Sequence, residues 1–233
     1  MIGLDKTVIV VWEGLDGAGK TTLMNRVKQL LEERGYRVIA YKTPSDTPTG
    51  RFAKDYGNIM EIDPLTRTLL FLANTSDDSK IMKKEIEEKT PDYYFIDRYY
   101  LCSIVYGFAL LKLRGSRVDE KLFAKLLSSI EELGEKIFLK PDLYVIVDAP
   151  EESRIKRVKL KASQGRLEEA LERDQLMQEY VKEFYRIFKK LRPEKVLWII
   201  NLEGMLEEAA SRVVDELIRL RGHPLRRAGS EQG

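Results

Sequence analysis

Cysteine and histidine are nearly absent from this 233-residue chain, which has one of each, Cys102 and His223. A lone cysteine excludes an intrachain disulfide, and one histidine leaves neither a His-based triad nor a Cys/His zinc site its parts. Excess charge is missing too. Forty Lys and Arg oppose 38 Asp and Glu, and a net charge of +2 gives no general field for nucleic acid or a membrane surface. No apolar run reaches the roughly 20 residues that span a bilayer. No Pro/Gly/Ser-rich linker or repeat divides the chain, and the first residues carry no secretory-signal pattern. These absences predict a single domain over residues 1–220, a loose basic tail over 221–233, a reduced cytoplasmic setting, and neither nucleic acid nor membrane as partner. Asn and Gln are scarce beside 33% charged residues, a composition common in heat-adapted proteins.

What is present begins with Gly14-Leu-Asp-Gly-Ala-Gly-Lys-Thr21, a full match to G-x-x-x-x-G-K-[S/T], set directly after the apolar run Val8–Trp12. In such a loop the glycines let backbone N–H groups curl toward phosphate oxygens, and the lysine reaches the β and γ phosphates. The threonine hydroxyl takes Mg²⁺, and the following helix adds its positive dipole end. Residues Gly14, Leu15, Asp16, Gly17, Ala18, Gly19, Lys20, Thr21 and Thr22 are therefore the expected ATP site, with Thr21 a metal ligand.

Hydrophobic spacing organises the rest. Leu23, Val27, Leu30 and Leu31 predict a helix over 20–34 with Gly35 as its cap. Tyr36–Tyr41, Tyr93–Ile96, Leu143–Val147 and Val196–Ile200 read as four further strands, and Leu65, Leu69, Leu70 and Leu72 lead a helix between the second and third. Short, nearly continuous apolar strands alternating with helices predict an α/β, three-layer sandwich: a five-stranded parallel sheet flanked by helices. Ligands of such sheets lie beyond the carboxyl ends of the strands, so Glu13–Thr22, Lys42–Pro44, Asp97–Tyr99 and Asp148–Pro150 should converge on one rim. There Asp97 is placed to hold Mg²⁺ or its waters, or else to cap the next helix, and Arg98 can grip a phosphate.

These residues resemble the thymidylate kinase family of P-loop nucleoside monophosphate kinases. The likeness covers most of residues 7–205. It rests on Trp12-Glu-Gly-Leu-Asp-Gly-Ala-Gly-Lys-Thr-Thr22, Asp97-Arg-Tyr-Tyr-Leu-Cys-Ser-Ile-Val-Tyr106, Leu69-Leu-Phe-Leu-Ala-Asn74 and Pro141–Asp148 with Pro150. It implies transfer of the ATP γ-phosphoryl group to dTMP, and a homodimer formed through the helices after strands two and three. By the same resemblance Asp16 faces the acceptor sugar, Arg98 holds the acceptor phosphate, Phe71 stacks on the base and Tyr106 crowds the 2′ position. Arg157 stands where the family opens its lid. Two positions depart from the pattern: Lys42 replaces an arginine of the acceptor-phosphate loop, keeping charge without the bidentate fork. Thr75 replaces an arginine after the stacking aromatic, leaving Asn74, Thr75 and Ser76 as candidate bonds to the base edge.

Phosphoryl transfer needs positioning and positive charge rather than a protein nucleophile, so Lys20, Asp16, Arg98, Arg157 and Arg166 are the expected catalytic set. The basic stretch Arg154–Lys161 with Ser163-Gln-Gly165 as hinge predicts a short lid over about 157–167. The same charges would also suit a solvated helix face opposite Glu168, Glu169 and Glu172. Duller readings stand elsewhere. Phe71 sits on an apolar face that could be core, Tyr180, Phe184, Tyr185 and Phe188 fall at core spacing, and Cys102 reads as a buried thiol. A GTP switch is disfavoured because neither Asn-Lys-x-Asp nor a strand-ending Asp-x-x-Gly occurs. The rival readings are a deoxynucleoside kinase, whose strand-three signature is Glu-Arg-Ser, another nucleoside monophosphate kinase, or a noncatalytic nucleotide-binding module.

Overall fold

The computed structural model describes residues 7–159 and 167–222. Arg166, the Ser163-Gln-Gly165 segment and the tail from His223 onward lie outside the described residues. Five strands form one parallel sheet in the order β2-β3-β1-β4-β5: β1 (Val8–Gly14), β2 (Val38–Lys42), β3 (Tyr93–Asp97), β4 (Leu143–Asp148) and β5 (Val196–Ile200). The three inner strands are buried along their whole length, as continuous apolar runs covered on both faces require, whereas the edge strands are only partly covered.

Between the strands run α1 (Lys20–Glu32), α2 (Pro48–Tyr56), α3 (Pro64–Lys89), α4 (Tyr100–Leu113), α5 (Glu120–Leu133), α6 (Glu151–Lys159), α7 (Leu167–Arg173), α8 (Gln175–Leu191) and α9 (Leu206–Arg221). Adjacent strand residues point to opposite faces. The hydroxyl of Tyr93 donates to the Leu217 carbonyl on α9 at 3.3 Å, while that of Tyr94 donates to Glu85 on α3 at 2.6 Å. Helices α9 and α3 therefore cover opposite faces, α1 packing beside α9, α4 against α3, and α8 against α4. Among the described residues no helix is long and apolar enough to cross a membrane.

At two boundaries the difference from the sequence expectation has a visible cause. Strand two begins at Val38, not Tyr36. The N–H groups of Gly35 and Tyr36 return to the carbonyls of Glu32 and Leu31 at 2.9 and 3.1 Å, so Tyr36 belongs to the turn that closes α1. Its ring then packs edge-on against Tyr93, 5.3 Å between centroids. At the other end, α9 runs through Arg221, where a loose tail was expected. Arg221 pairs with Asp92 at 2.5 Å and donates to the Asp92 carbonyl at 2.9 Å.

The strand order makes the first crossover run one way from β1 and the third run the other, which opens a crevice at the carboxyl end of β1. Register sets Trp12, Asp97 and Lys42 side by side at that end. One step further, Glu13 is fully buried. Its Oε1 accepts the N–H groups of Tyr99 and Cys102 at 3.0 and 3.2 Å, and its Oε2 accepts the Tyr185 hydroxyl at 2.8 Å. The carboxylate thus caps α4 from across the sheet, doing the work that a side chain at the N-terminus of α4 does not do, and ties in α8. Tyr185→Phe removes one donor and leaves a buried carboxylate oxygen short of a partner. It is expected to cost about 2 kcal/mol in urea unfolding, and an unchanged midpoint would refute the role given to Glu13.

Candidate active site

The glycine loop is shaped by backbone demands. Gly14 has φ 138°, and a Cβ there would stand 2.1 Å from the Val147 carbonyl oxygen, so only glycine fits between β1 and β4. Gly19, at φ 81°, turns the chain into α1, whose first residue is Lys20. Three side chains from distant parts of the chain hold the loop's carbonyls. Arg154 donates to Asp16 O at 2.9 Å, Arg157 to Gly17 O at 3.1 Å and Asn201 to Ala18 O at 2.8 Å. A loop whose carbonyls are held in this way keeps the curl that turns amides toward an anion.

Lys20 is 8% exposed and its ammonium contacts the Asp97 carboxylate. Burial, and after it the positive Arg98, pushes the Lys20 pKa below the usual lysine value. Asp97 is thereby not the cap of α4: that position is Tyr99, and the capping acceptor is Glu13. Thr21 and Thr22 stand exposed in the first turn of α1.

Asp16 is the hinge between this loop and the space beside it. Its Oδ1 accepts Arg98 at 2.5 Å, and its Oδ2 accepts the Tyr106 hydroxyl at 2.7 Å and the Gln178 amide at 3.1 Å. Arg98 reaches it from a left-handed backbone conformation, φ 68°, which costs a non-glycine residue of order 1 kcal/mol. That conformation is fixed from both sides, by the Arg98 N–H on the Trp12 carbonyl at 3.0 Å and by Thr43 Oγ1 donating to the Arg98 carbonyl at 3.0 Å. Cys102 is half-buried and receives an Arg98 N–H on Sγ at 3.0 Å. Desolvation pushes its pKa up to about 11, so it is a neutral thiol and no nucleophile. Tyr106, pushed far up by burial, stays a neutral donor.

A cavity of about 550 Å³ opens from Asp16 away from the loop. Its wall brings together Asp16, Lys42, Phe71, Asn74, Thr75, Arg98 and Tyr106, which lie in five separate parts of the sequence. Lys42 is exposed at the rim, Phe71 is half-buried in the wall, and Thr75 is 2% exposed with its hydroxyl turned back to the Phe71 carbonyl at 2.9 Å. Of the expected core aromatics, Phe184, Tyr185 and Phe188 are buried, while Tyr180 is half-buried beneath Lys112.

Several residues of this neighbourhood had no motif to mark them. Arg154, Gln178 and Asn201 brace the loop. Asp78, fully buried on α3, accepts the Tyr41 hydroxyl at 3.2 Å and the Ser45 hydroxyl and N–H at 2.6 and 3.3 Å. Asn74 donates to Thr47 at 3.2 Å, and Thr49 donates to Asp77 at 3.0 Å. One face of α3 thus holds the segment from Tyr41 to Thr49, which includes a cis Thr43–Pro44 bond, against the cavity. For Arg154 the only prior signal was the basic stretch that contains it.

Comparison with known proteins agrees with this geometry. A family model described as thymidylate kinase matches residues 12–212. The thymidylate kinase of Caldicellulosiruptor saccharolyticus is 32% identical over 224 residues, 93% of this chain and 100% of that protein. The probable thymidylate kinase of Archaeoglobus fulgidus is 28% identical over 208 residues, covering 88% and 92%. The solved thymidylate kinase of Candida albicans superposes with a TM-score of 0.65 at 22% identity, covering 92% of each chain. That of Ehrlichia chaffeensis gives 0.62 at 18%, covering 91% and 98%. At such identities the structural likeness speaks for the fold, that of the P-loop kinases. Since the family match runs from the glycine loop through the Asp97-Arg98-Tyr99 turn to the last helix, the chain belongs to the thymidylate kinase family.

Proposed function

We propose that this protein transfers the γ-phosphoryl group of ATP to dTMP, giving ADP and dTDP. The observation that carries the reading is the Asp16–Arg98 pair: it joins the phosphate-binding loop to a cavity of nucleotide size whose wall holds the Phe71 ring together with the cations Lys42 and Arg98. Transfer between two bound nucleotides requires such adjacency, because the reacting oxygens must be held in line.

Lys20 and the loop amides hold the donor phosphates, and Arg98 with Lys42 holds the acceptor phosphate. Asp16 and Tyr106 face the acceptor sugar, with Phe71 under the base and Asn74 and Thr75 nearby. Two of these cations already face an anion. Lys20 lies on Asp97 and Arg98 on Asp16, so incoming phosphates replace carboxylates rather than meet bare charge. The residues fit a magnesium ion: Thr21 offers a hydroxyl oxygen at the head of α1, and the Asp97 carboxylate borders the same loop. Bound Mg²⁺ neutralises charge on the donor phosphates.

Arg157 and Arg166 supply charge on the far side of the transferred group, from a lid over about 157–167. The contact of Arg157 with the Gly17 carbonyl supports this role. A nucleoside lacking phosphate would leave Lys42 without a purpose, which favours a monophosphate over the deoxynucleoside kinase reading. Exposed Leu65 and Leu69 on α3, with the stacked pair Phe52 and Tyr56 on α2, give an apolar surface that supports a homodimer. The proposed setting is the cytoplasm.

Lys20→Ala should lower kcat by about 10³-fold in a coupled ADP assay; activity within a few-fold of wild type would remove the loop from the mechanism. Arg166→Ala should lower kcat by about 10³-fold while KM for either nucleotide moves only a few-fold, and an unchanged kcat would take Arg166 out of the lid role.

A further inference from the structure

From α8, one side chain reaches Asp16 and spends every bond that an amide can form. Gln178 is 1% exposed. Its Nε2 donates to Asp16 Oδ2 and to the Leu171 carbonyl, both at 3.1 Å, and its Oε1 accepts the Asp16 N–H and an Arg154 N–H, both at 3.2 Å. A primary amide has two donor hydrogens and two acceptor sites, so this one is fully engaged. Turned over, it would set its NH₂ against two N–H groups and its oxygen against a carboxylate and a carbonyl, so these partners allow a single orientation.

The four bonds end on three elements: the glycine loop, α6 through Arg154, and α7 through Leu171, which also lines the cavity. Arg154, Arg157 and Asn201 hold the loop's carbonyls. Gln178 differs from these braces in gripping a side chain. It shares Asp16 Oδ2 with the Tyr106 hydroxyl, while Arg98 holds Oδ1, and donors on both oxygens fix the plane of a carboxylate. We propose that Gln178 is a positioning residue for the acceptor sugar: it sets the Asp16 carboxylate for a bond from the 3′-hydroxyl, the one free hydroxyl of dTMP, and ties that setting to the placement of α6 and α7. The inference rests on the acceptor reading of this cavity. Since the direction of the carboxylate is at stake and not its charge, an acceptor without that hydroxyl should be nearly insensitive to Gln178.

The test is steady-state kinetics at saturating MgATP with dTMP and with its 3′-deoxy analogue, for wild type, Gln178→Met and Gln178→Glu. Methionine keeps the length of the side chain but has no donor. Glutamate keeps an acceptor for Arg154 and the Asp16 N–H but loses the donor to the Asp16 carboxylate, so it carries the test if the methionine variant does not fold. Wild type should prefer dTMP to the analogue in kcat/KM. In each folded variant that preference should fall by about tenfold or more through loss on dTMP, while kcat/KM for the analogue and KM for ATP stay within about threefold. A purely structural brace would lower both acceptors equally. That outcome, or an unchanged preference, overturns the role of Gln178 while leaving the kinase reading intact. A wild type indifferent to the 3′-hydroxyl overturns the Asp16 contact and the role of Gln178 with it, but not transfer to dTMP. A wild type that does not use dTMP at all overturns the acceptor reading itself.

Discussion

Glu13 brings an ionisable group into the centre of the sheet, and the site is assembled around its three donors. Burial raises its pKa, and the Arg98 charge with the bonds from Tyr185 and Tyr99 pulls it back. The compensation is also the architecture. By accepting the first N–H groups of α4, Glu13 sets where that helix starts, and so where Arg98 leaves β3 and where Tyr106 faces back toward the loop. By accepting Tyr185 it sets α8, which carries Gln178 to the Asp16 side chain and backbone. A carboxylate adjoining the glycine loop thus fixes the distance between that loop and the cavity beside Asp16.

The second constraint is charge balance. Lys20, Arg98 and Arg154 lie close to one loop, a concentration of cations that must be answered within the protein. Asp97 and Asp16 answer two of these charges, and the Asp16 carbonyl with the Gln178 amide oxygen answers Arg154. Such pairs contribute little net stability once desolvation is counted, but breaking one leaves a buried charge, so they hold the cations in place beside the loop. Arg98 illustrates the cost. Its left-handed backbone conformation is the kind of strain that persists where surrounding bonds over-determine it, here at a functional turn.

Much of this was legible in the sequence because it is dictated locally. The loop needs Gly14 and Gly19 for their backbone angles and Lys20 for its charge, so the pattern announces itself. The inner strands, buried on both faces, read as apolar runs. Strand two was misjudged at Tyr36 because an apolar aromatic next to a helix cap looks like the start of a strand until the cap bonds are seen. Long-range polar pairing was hidden. Nothing in the spacing of Gln178, Asn201, Asp78 or Arg154 says that they meet the loop or the segment after β2. Thr75 was a candidate for the base edge by position. Its hydroxyl instead bonds the preceding turn, as threonine in a helix readily does.

Everything proposed for this site turns on the cavity beside Asp16 receiving a thymidine monophosphate in line with ATP bound on the loop. The most direct measurement is ADP formation by the wild-type protein with MgATP and, in turn, dTMP, dUMP, dGMP, AMP and free thymidine. Turnover with dTMP is expected well above that with the purine monophosphates and with thymidine. Turnover with thymidine alone, or with none of these acceptors, would contradict it.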